Sequence, residues 1–185
     1  MTTNNVLAAM TLRPPVPMGA YHGLGYVCVL GAVEALRDAG MNVGIGWPFS
    51  LVDTGTGTTV ALMRTSAGYD EGMFARVEVV AEDDFDADRD LLAAGITNRV
   101  DRWATEVAAG RAQASPLAPV LSDYFDLVPL LGHPAEAVYP NGNEMARGTF
   151  AGLDLWGRAI LVTDDGRELS FAPEQASLRP INKQT

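Results

Sequence analysis

The first two thirds of the chain alternate between two spacings of apolar residues. In two longer segments the apolar positions lie three and four residues apart, as on one face of a helix, and in four shorter runs they have the composition of strands. We predict helices at residues 22–39 and 86–109 and strands at residues 5–13, 42–47, 58–65 and 74–81. This alternation predicts an α/β (α+β) domain over residues 1–125, in which the helices cover one side of a mixed sheet.

The pattern changes after about residue 133. Short apolar runs such as "AILV" are then separated by turn sequences such as "PNGN" and "LWGR", and the segment divides into about five short strands. Strands and turns at this spacing are typical of a small barrel similar to an SH3 module. We therefore predict a second domain, an SH3-like β-barrel, over residues 126–185.

Composition narrows the classes of function. The 185 residues carry a formal net charge of −10, and a surface of that sign repels phosphate backbones, which argues against a nucleic-acid partner. No run reaches the ~20 apolar residues of a membrane span, and the first residues lack the positive segment of a secretory signal. We expect no membrane association and a cytoplasmic location.

Cys28 stands among apolar neighbours, and we expect a buried, unreactive thiol.

Three short motifs favour structure over chemistry. The "TGTGT" segment (54–58) has no Lys-Ser/Thr after it, so a flexible loop is favoured over a phosphate cradle. The acidic segment "DDFDADRD" has Arg89 where a calcium loop needs glycine, and it is better explained as the N-terminal cap of a helix. His22 and His133 lack companions at ligand spacing. We predict no metal site and no cofactor.

Five segments between Val6 and Pro180 carry a resemblance to a known family. In order they are "LAAMTLRPP", "LGYVCVLGAVEALRDAG", "GWPFSLVD", "TTVALM" and "RGTFAGLDLWGRAILVTDDGRELSFAPEQASLRP". Their collinear order and spacing resemble the biotin protein ligases, which make biotinyl-adenylate and transfer biotin to a carboxylase lysine. The resemblance implies a biotin/lipoate protein ligase-like fold followed by an SH3-like barrel.

The same resemblance shows which chemical groups the sequence lacks. Where the family has Lys-Trp-Pro-Asn-Asp, the segment "VGIGWPFSLVD" keeps Trp47 and Pro48 but has Gly46, Phe49 and Ser50 in place of the lysine, asparagine and aspartate. The resemblance implies a weakened site, because adenylation needs cations and donors around the developing phosphate charge.

Other expected groups are missing as well. Thr58, followed by Thr59, stands where the family has its catalytic lysine. The segment "VEVVAEDD" replaces a Gly-x-Gly-x-Asn turn, and the Gly-Arg-rich loop that encloses the adenylate would precede Val6. We therefore predict no catalytic residue and no formation of biotinyl-adenylate by this chain alone. The candidate ligand-pocket residues are Trp47, Phe49, Ser50, Thr58 and Thr59.

Three hypotheses remain open. The first is a catalytically deficient biotin protein ligase-like protein that acts in binding a biotin-like or acyl small molecule or in partner assembly. The second is a subunit of a split, active biotin/lipoate-type ligase whose N-terminal half is a separate chain. The third is a small-molecule binding module in which Trp47 and Phe49 line an apolar pocket. Because a sheet without the family's first strands would expose an edge, we also expect a homodimer or a protein partner.

Overall fold

The computed structural model describes residues 5–82 and 84–181, which form two five-stranded sheets and the helices that cover the first of them. The first sheet contains β1 (Asn5–Leu12), β2 (Val43–Gly46), β3 (Ser50–Asp53), β4 (Thr59–Tyr69) and β5 (Met73–Ala81). The helices are a 3-10 helix (Met18–Gly23), α1 (Leu24–Asp38), α2 (Arg89–Ala108) and α3 (Leu121–Asp126). The second sheet contains β6 (Pro134–Val138), β7 (Glu144–Leu153), β8 (Ala159–Val162), β9 (Glu168–Phe171) and β10 (Ser177–Pro180).

The first sheet confirms the α+β class and corrects the predicted strand directions. Its order is β1-β5-β4-β3-β2, and every neighbouring pair is antiparallel, so the sheet is not mixed. The reason is that β2 to β5 follow one another through short turns, which reverse the chain at each step. The sequence pattern also missed β3, because the turn Trp47-Pro48-Phe49 separates two strands of four residues each.

The two long helices pack on one face of this sheet. Strand residues that alternate along β4 and β5 are buried on the helical side, among them Ala61, Met63, Val77 and Val79. The helices approach each other closely at Gly31 of α1 and Gly95 of α2, since a Cβ at Gly31 would lie 2.7 Å from the carbonyl oxygen of Gly95. Glycine at both positions is what permits this packing distance.

The helix boundaries follow local sequence signals. α1 begins at Leu24, two residues after the predicted start, because residues 18–23 form the preceding 3-10 helix. α2 begins after Asp88, whose Oδ1 accepts a hydrogen bond of 2.9 Å from the backbone N–H of Leu91. The acidic segment thus provides the predicted N-terminal cap. Among the residues described, no helix is both long and apolar enough to cross a bilayer.

The second sheet is the predicted SH3-like module of five strands, of which β7 has ten residues and the other four have four or five each. Its order is β10-β6-β7-β8-β9 with antiparallel pairing throughout. Phe150, Ala159 and Leu161 are fully buried and form its core together with alanines of β6. The module rests against the β2–β3 end of the first sheet, and the junction between the two sheets contains the groove described below.

Candidate functional site

A groove of about 530 Å³ opens where the two sheets meet. One wall is formed by the β2–β3 hairpin and the start of β4, and the other by β10 and the segment that leads into β6. The lining is mainly apolar: Ile45, Gly46, Val52, Gly57, Thr59, Pro129, Leu130, His133, Pro134, Leu178, Arg179, Pro180 and Ile181. A concave, apolar site with a few polar groups is the usual form of a small-molecule site.

The charged side chain in the groove lining, Arg179, belongs to an ion pair. Arg179 donates from Nε and Nη2 to the two carboxylate oxygens of Glu136, at 3.1 Å each. Glu136 is only 7% exposed, and the hydrogen bonds from Arg179 lower the pKa of its carboxyl group. The guanidinium is therefore held in one orientation at the groove, with its charge largely balanced. His133 and Thr59 add the remaining polar side chains of the lining.

Gly46 lies on the opposite wall, where the backbone is crowded. The Ser50 hydroxyl donates a hydrogen bond of 2.9 Å to the Gly46 carbonyl across the β2–β3 hairpin. A Cβ at position 46 would collide with Ser50 Oγ and would lie 2.8 Å from Val52 Cγ1. A side chain at this position therefore requires a neighbour to move, and the hairpin is built around glycine.

The structure places the five predicted pocket residues in different surroundings. Thr59 lines the groove, whereas Trp47 is 1% exposed and donates from Nε1 to the carbonyl of Gly157 at 2.9 Å. Phe49 packs edge-on against Tyr26, with 4.8 Å between ring centroids. Ser50 bonds to Gly46, as above. Thr58 is exposed, and its hydroxyl lies 2.7 Å from that of Thr56. A ligand role for these residues stays a prediction.

Sequence reasoning missed the second wall of the groove. Leu178, Arg179 and Pro180 belong to the segment "SLRP", which was interpreted only as the last strand of the barrel. His133 was considered only as a metal ligand. No local pattern marks these residues as lining a site, because they come within reach of Gly46 and Val52 only when the second sheet packs against the first.

Few cationic side chains line the groove. The 185 residues contain a single lysine, Lys183, which lies outside the described residues. Arg179 is the one arginine in the groove lining, and it is already paired with Glu136. The described part of the site therefore presents one neutralised guanidinium and no amine to an incoming anion.

Comparison with known proteins places the fold. No family model matches the sequence, and no curated protein matches it either. Among solved structures, the apo biotin protein ligase from Aquifex aeolicus is similar over 94% of this chain and 81% of its own, with a TM-score of 0.66 and 15% identity. The same enzyme in complex with biotin and ATP gives a TM-score of 0.66 and 15% identity over 94% and 77% of the two chains.

A third solved structure comes from a different organism. A biotin protein ligase-like protein of unknown function from Silicibacter sp. TM1040 has a TM-score of 0.59 and 19% identity, and the similarity covers 90% of this chain and 77% of that one. At these identities the likeness concerns the fold. The chain therefore has the biotin protein ligase fold.

Proposed function

We propose that the protein is a catalytically deficient biotin protein ligase-like protein that binds a small biotin-like or acyl molecule in the groove and does not activate it with ATP. The observation that carries the proposal is the absence of amines at the groove and beside it, within the part of the chain that the structure describes. Gly46 and Thr58, at the positions that resemble the family's lysines, provide no amine, and residues 5–181 contain no lysine.

The loss of charge matters because of the reaction. When a carboxylate attacks the α-phosphate of ATP, the developing negative charge needs preorganised cations or donors. Removing one such donor typically costs a factor of roughly 10² to 10³ in rate. With two lysines and the Asn-Asp pair replaced, the expected rate falls below what an adenylation assay detects.

Binding is supported by what the groove retains. Its apolar walls, including Ile45, Val52 and Leu178, suit the hydrocarbon part of a biotin-like or acyl molecule. The polar groups of Thr59 and Arg179 lie at the same groove and suit a single polar end. Biotin is the natural first probe, since a solved ligase of this fold is a complex with biotin and ATP.

The experiment combines a binding and a turnover measurement. Isothermal titration with biotin and with lipoate measures binding, and pyrophosphate release from biotin and ATP measures adenylation. Thr59→Trp should fill the groove and weaken binding at least about tenfold, as expected when a bulky side chain occupies the ligand's space. Arg64→Trp, on the same strand β4, exposed and outside the lining, is the matched control and should bind as the unmodified protein does.

Each result has a defined meaning. Turnover by the unmodified protein, or failure of both compounds to bind, would overturn the proposal. Equal loss of binding in Arg64→Trp and Thr59→Trp would place the ligand elsewhere.

Three further expectations stay predictions. Limited proteolysis tests the division into domains 1–125 and 126–185, whose boundary falls inside α3. Light scattering tests the predicted homodimer or protein complex. Cell fractionation tests the cytoplasmic location.

A further inference from the structure

The residue that joins the two walls of the groove is Trp47. Its neighbour Gly46 lines the first wall, while its own carbonyl accepts a hydrogen bond of 3.4 Å from the N–H of Leu178 on the second wall. Its indole Nε1 donates at 2.9 Å to the carbonyl of Gly157, in the turn between β7 and β8. Trp47 thus contacts the second sheet at two separate points, although its side chain is not part of the groove lining.

The carbonyl of Gly157 also accepts a second hydrogen bond. The hydroxyl of Tyr26, from α1, donates to it at 2.7 Å. Tyr26 is 2% exposed and Trp47 1% exposed, so this acceptor is surrounded by protein on the side where the first sheet meets the second. A carbonyl oxygen has two lone pairs, and here both are used.

The turn that carries Gly157 is itself fixed. Asp154 Oδ1 accepts hydrogen bonds from the N–H groups of Trp156 at 2.8 Å and Arg158 at 2.9 Å. The Ser115 hydroxyl donates to the carbonyl of Leu155. The position of Gly157 is therefore set by the turn, and the first sheet is attached to a rigid point of the second.

Glycine is required at this point. Gly157 has φ +83°, and a Cβ there would collide with the ring and hydroxyl of Tyr26. Gly166, in the next turn of the same sheet, has φ +79° but open space around its Cβ. The two glycines share the backbone requirement, and only Gly157 has the contact with Tyr26.

From this geometry we infer that Tyr26, Trp47 and Gly157 form a clamp that holds the second sheet against the first and sets the width of the groove. Trp47 is then a positioning residue of the site and makes no contact with the ligand. The inference rests on the proposed function only in taking the groove as the ligand site.

The clamp makes a specific prediction about pairs of changes. Tyr26→Phe or Trp47→Phe removes one donor and leaves the Gly157 carbonyl with the other. The double variant leaves a buried carbonyl without a protein partner, and such a group must recruit water. Admitting a water molecule to the carbonyl requires the junction to open by about 3 Å, roughly the diameter of that molecule.

The width is measured without any ligand. Spin labels are attached to cysteines at Arg64 in β4 and Ser177 in β10, both exposed, in a Cys28→Ala background that has no other thiol. We expect Tyr26→Phe and Trp47→Phe, each alone, to keep the distance between the two labels that the protein with an unmodified clamp shows. The double variant and Gly157→Ala should both give a longer and broader distance distribution, while Gly166→Ala should not.

The outcomes separate the clamp from the proposed function. The clamp is refuted when the double variant and Gly157→Ala keep the original distance, or when Gly166→Ala changes it equally. Should the double variant not fold, the comparison of Gly157→Ala with Gly166→Ala decides alone. A parallel biotin titration of the unmodified chain tests the proposed function, and its failure leaves the distance result intact.

Discussion

A lysine placed at position 46 should destabilise the hairpin without producing adenylation. Gly46 is the position that resembles a lysine of the ligases, so Gly46→Lys is the obvious attempt to recover activity. In the structure its Cβ would collide with Ser50 Oγ and lie 2.8 Å from Val52 Cγ1. The serine must then turn away, which breaks its hydrogen bond of 2.9 Å to the Gly46 carbonyl.

The size of the effect follows from these two losses. Overpacking a well-packed site costs about 1–3 kcal/mol, and a lost hydrogen bond costs about 1 kcal/mol. Part is offset because glycine has the larger conformational entropy in the unfolded chain, a gain of about 0.4–1 kcal/mol for the variant. We expect the free energy of unfolding to fall by about 2 kcal/mol, which lowers the Tm of a chain of this size by roughly 4–8 °C.

Thermal and urea unfolding measure the change, and two further variants control it. Thr58→Lys adds the same side chain at an exposed position and should stay within about 0.5 kcal/mol of the original protein. Gly46→Lys/Ser50→Ala removes the hydroxyl that blocks the space and should recover part of the loss. If Gly46→Lys is as stable as Thr58→Lys, the crowding argument is wrong. Biotin-dependent pyrophosphate release by Gly46→Lys would show that one amine is sufficient for chemistry.

Three other predictions concern charge and burial. Because Arg179 lowers the pKa of Glu136, this carboxylate stabilises the fold above its ordinary pKa, and the contribution disappears as the pH falls through its value in the folded protein. Glu136→Gln should be less stable than the original at neutral pH, and the free energies of unfolding of the two proteins should converge as the pH falls below the ordinary carboxyl range; a constant difference would contradict this. Arg99→Met should cost about 1–3 kcal/mol at neutral pH, since it removes a charged hydrogen bond of 3.1 Å to Glu34. Burial raises the pKa of the Glu34 carboxyl, and Arg99 opposes that rise, so Arg99→Met should raise this pKa further. The difference in free energy of unfolding between Arg99→Met and the original protein should therefore shrink in acid, where Glu34 is protonated in both. Burial also raises the pKa of the Cys28 thiol, so a disulfide reagent should modify it only after unfolding, and rapid modification of the native protein would refute its burial.

The local elements of this protein follow from its sequence. Apolar spacing located α1 and α2 to within a few residues, because each helix buries one face and the period of that face is visible in the sequence. The five strands of the second sheet were marked by their turn residues. The scarcity of lysine, with Lys183 the single one in the chain, is also a property of the sequence, while the correspondence of Gly46 and Thr58 to the family's lysines stays a prediction.

The site required the tertiary structure. Strand direction in the first sheet depends on which strands become neighbours, and periodicity within one strand carries no information about that. The groove depends on packing between residues far apart in sequence, such as Val52 and Leu178. Trp47 shows the limit most directly. Its size and apolar character fit both packing in the sheet and a pocket wall, and only the structure shows its hydrogen bond to Gly157, 110 positions along the chain, at the junction between the sheets. The sequence by itself determined the helices, most of the strands and the scarcity of lysine, because these depend on composition and neighbouring residues; only tertiary packing decided which side chains meet at the groove.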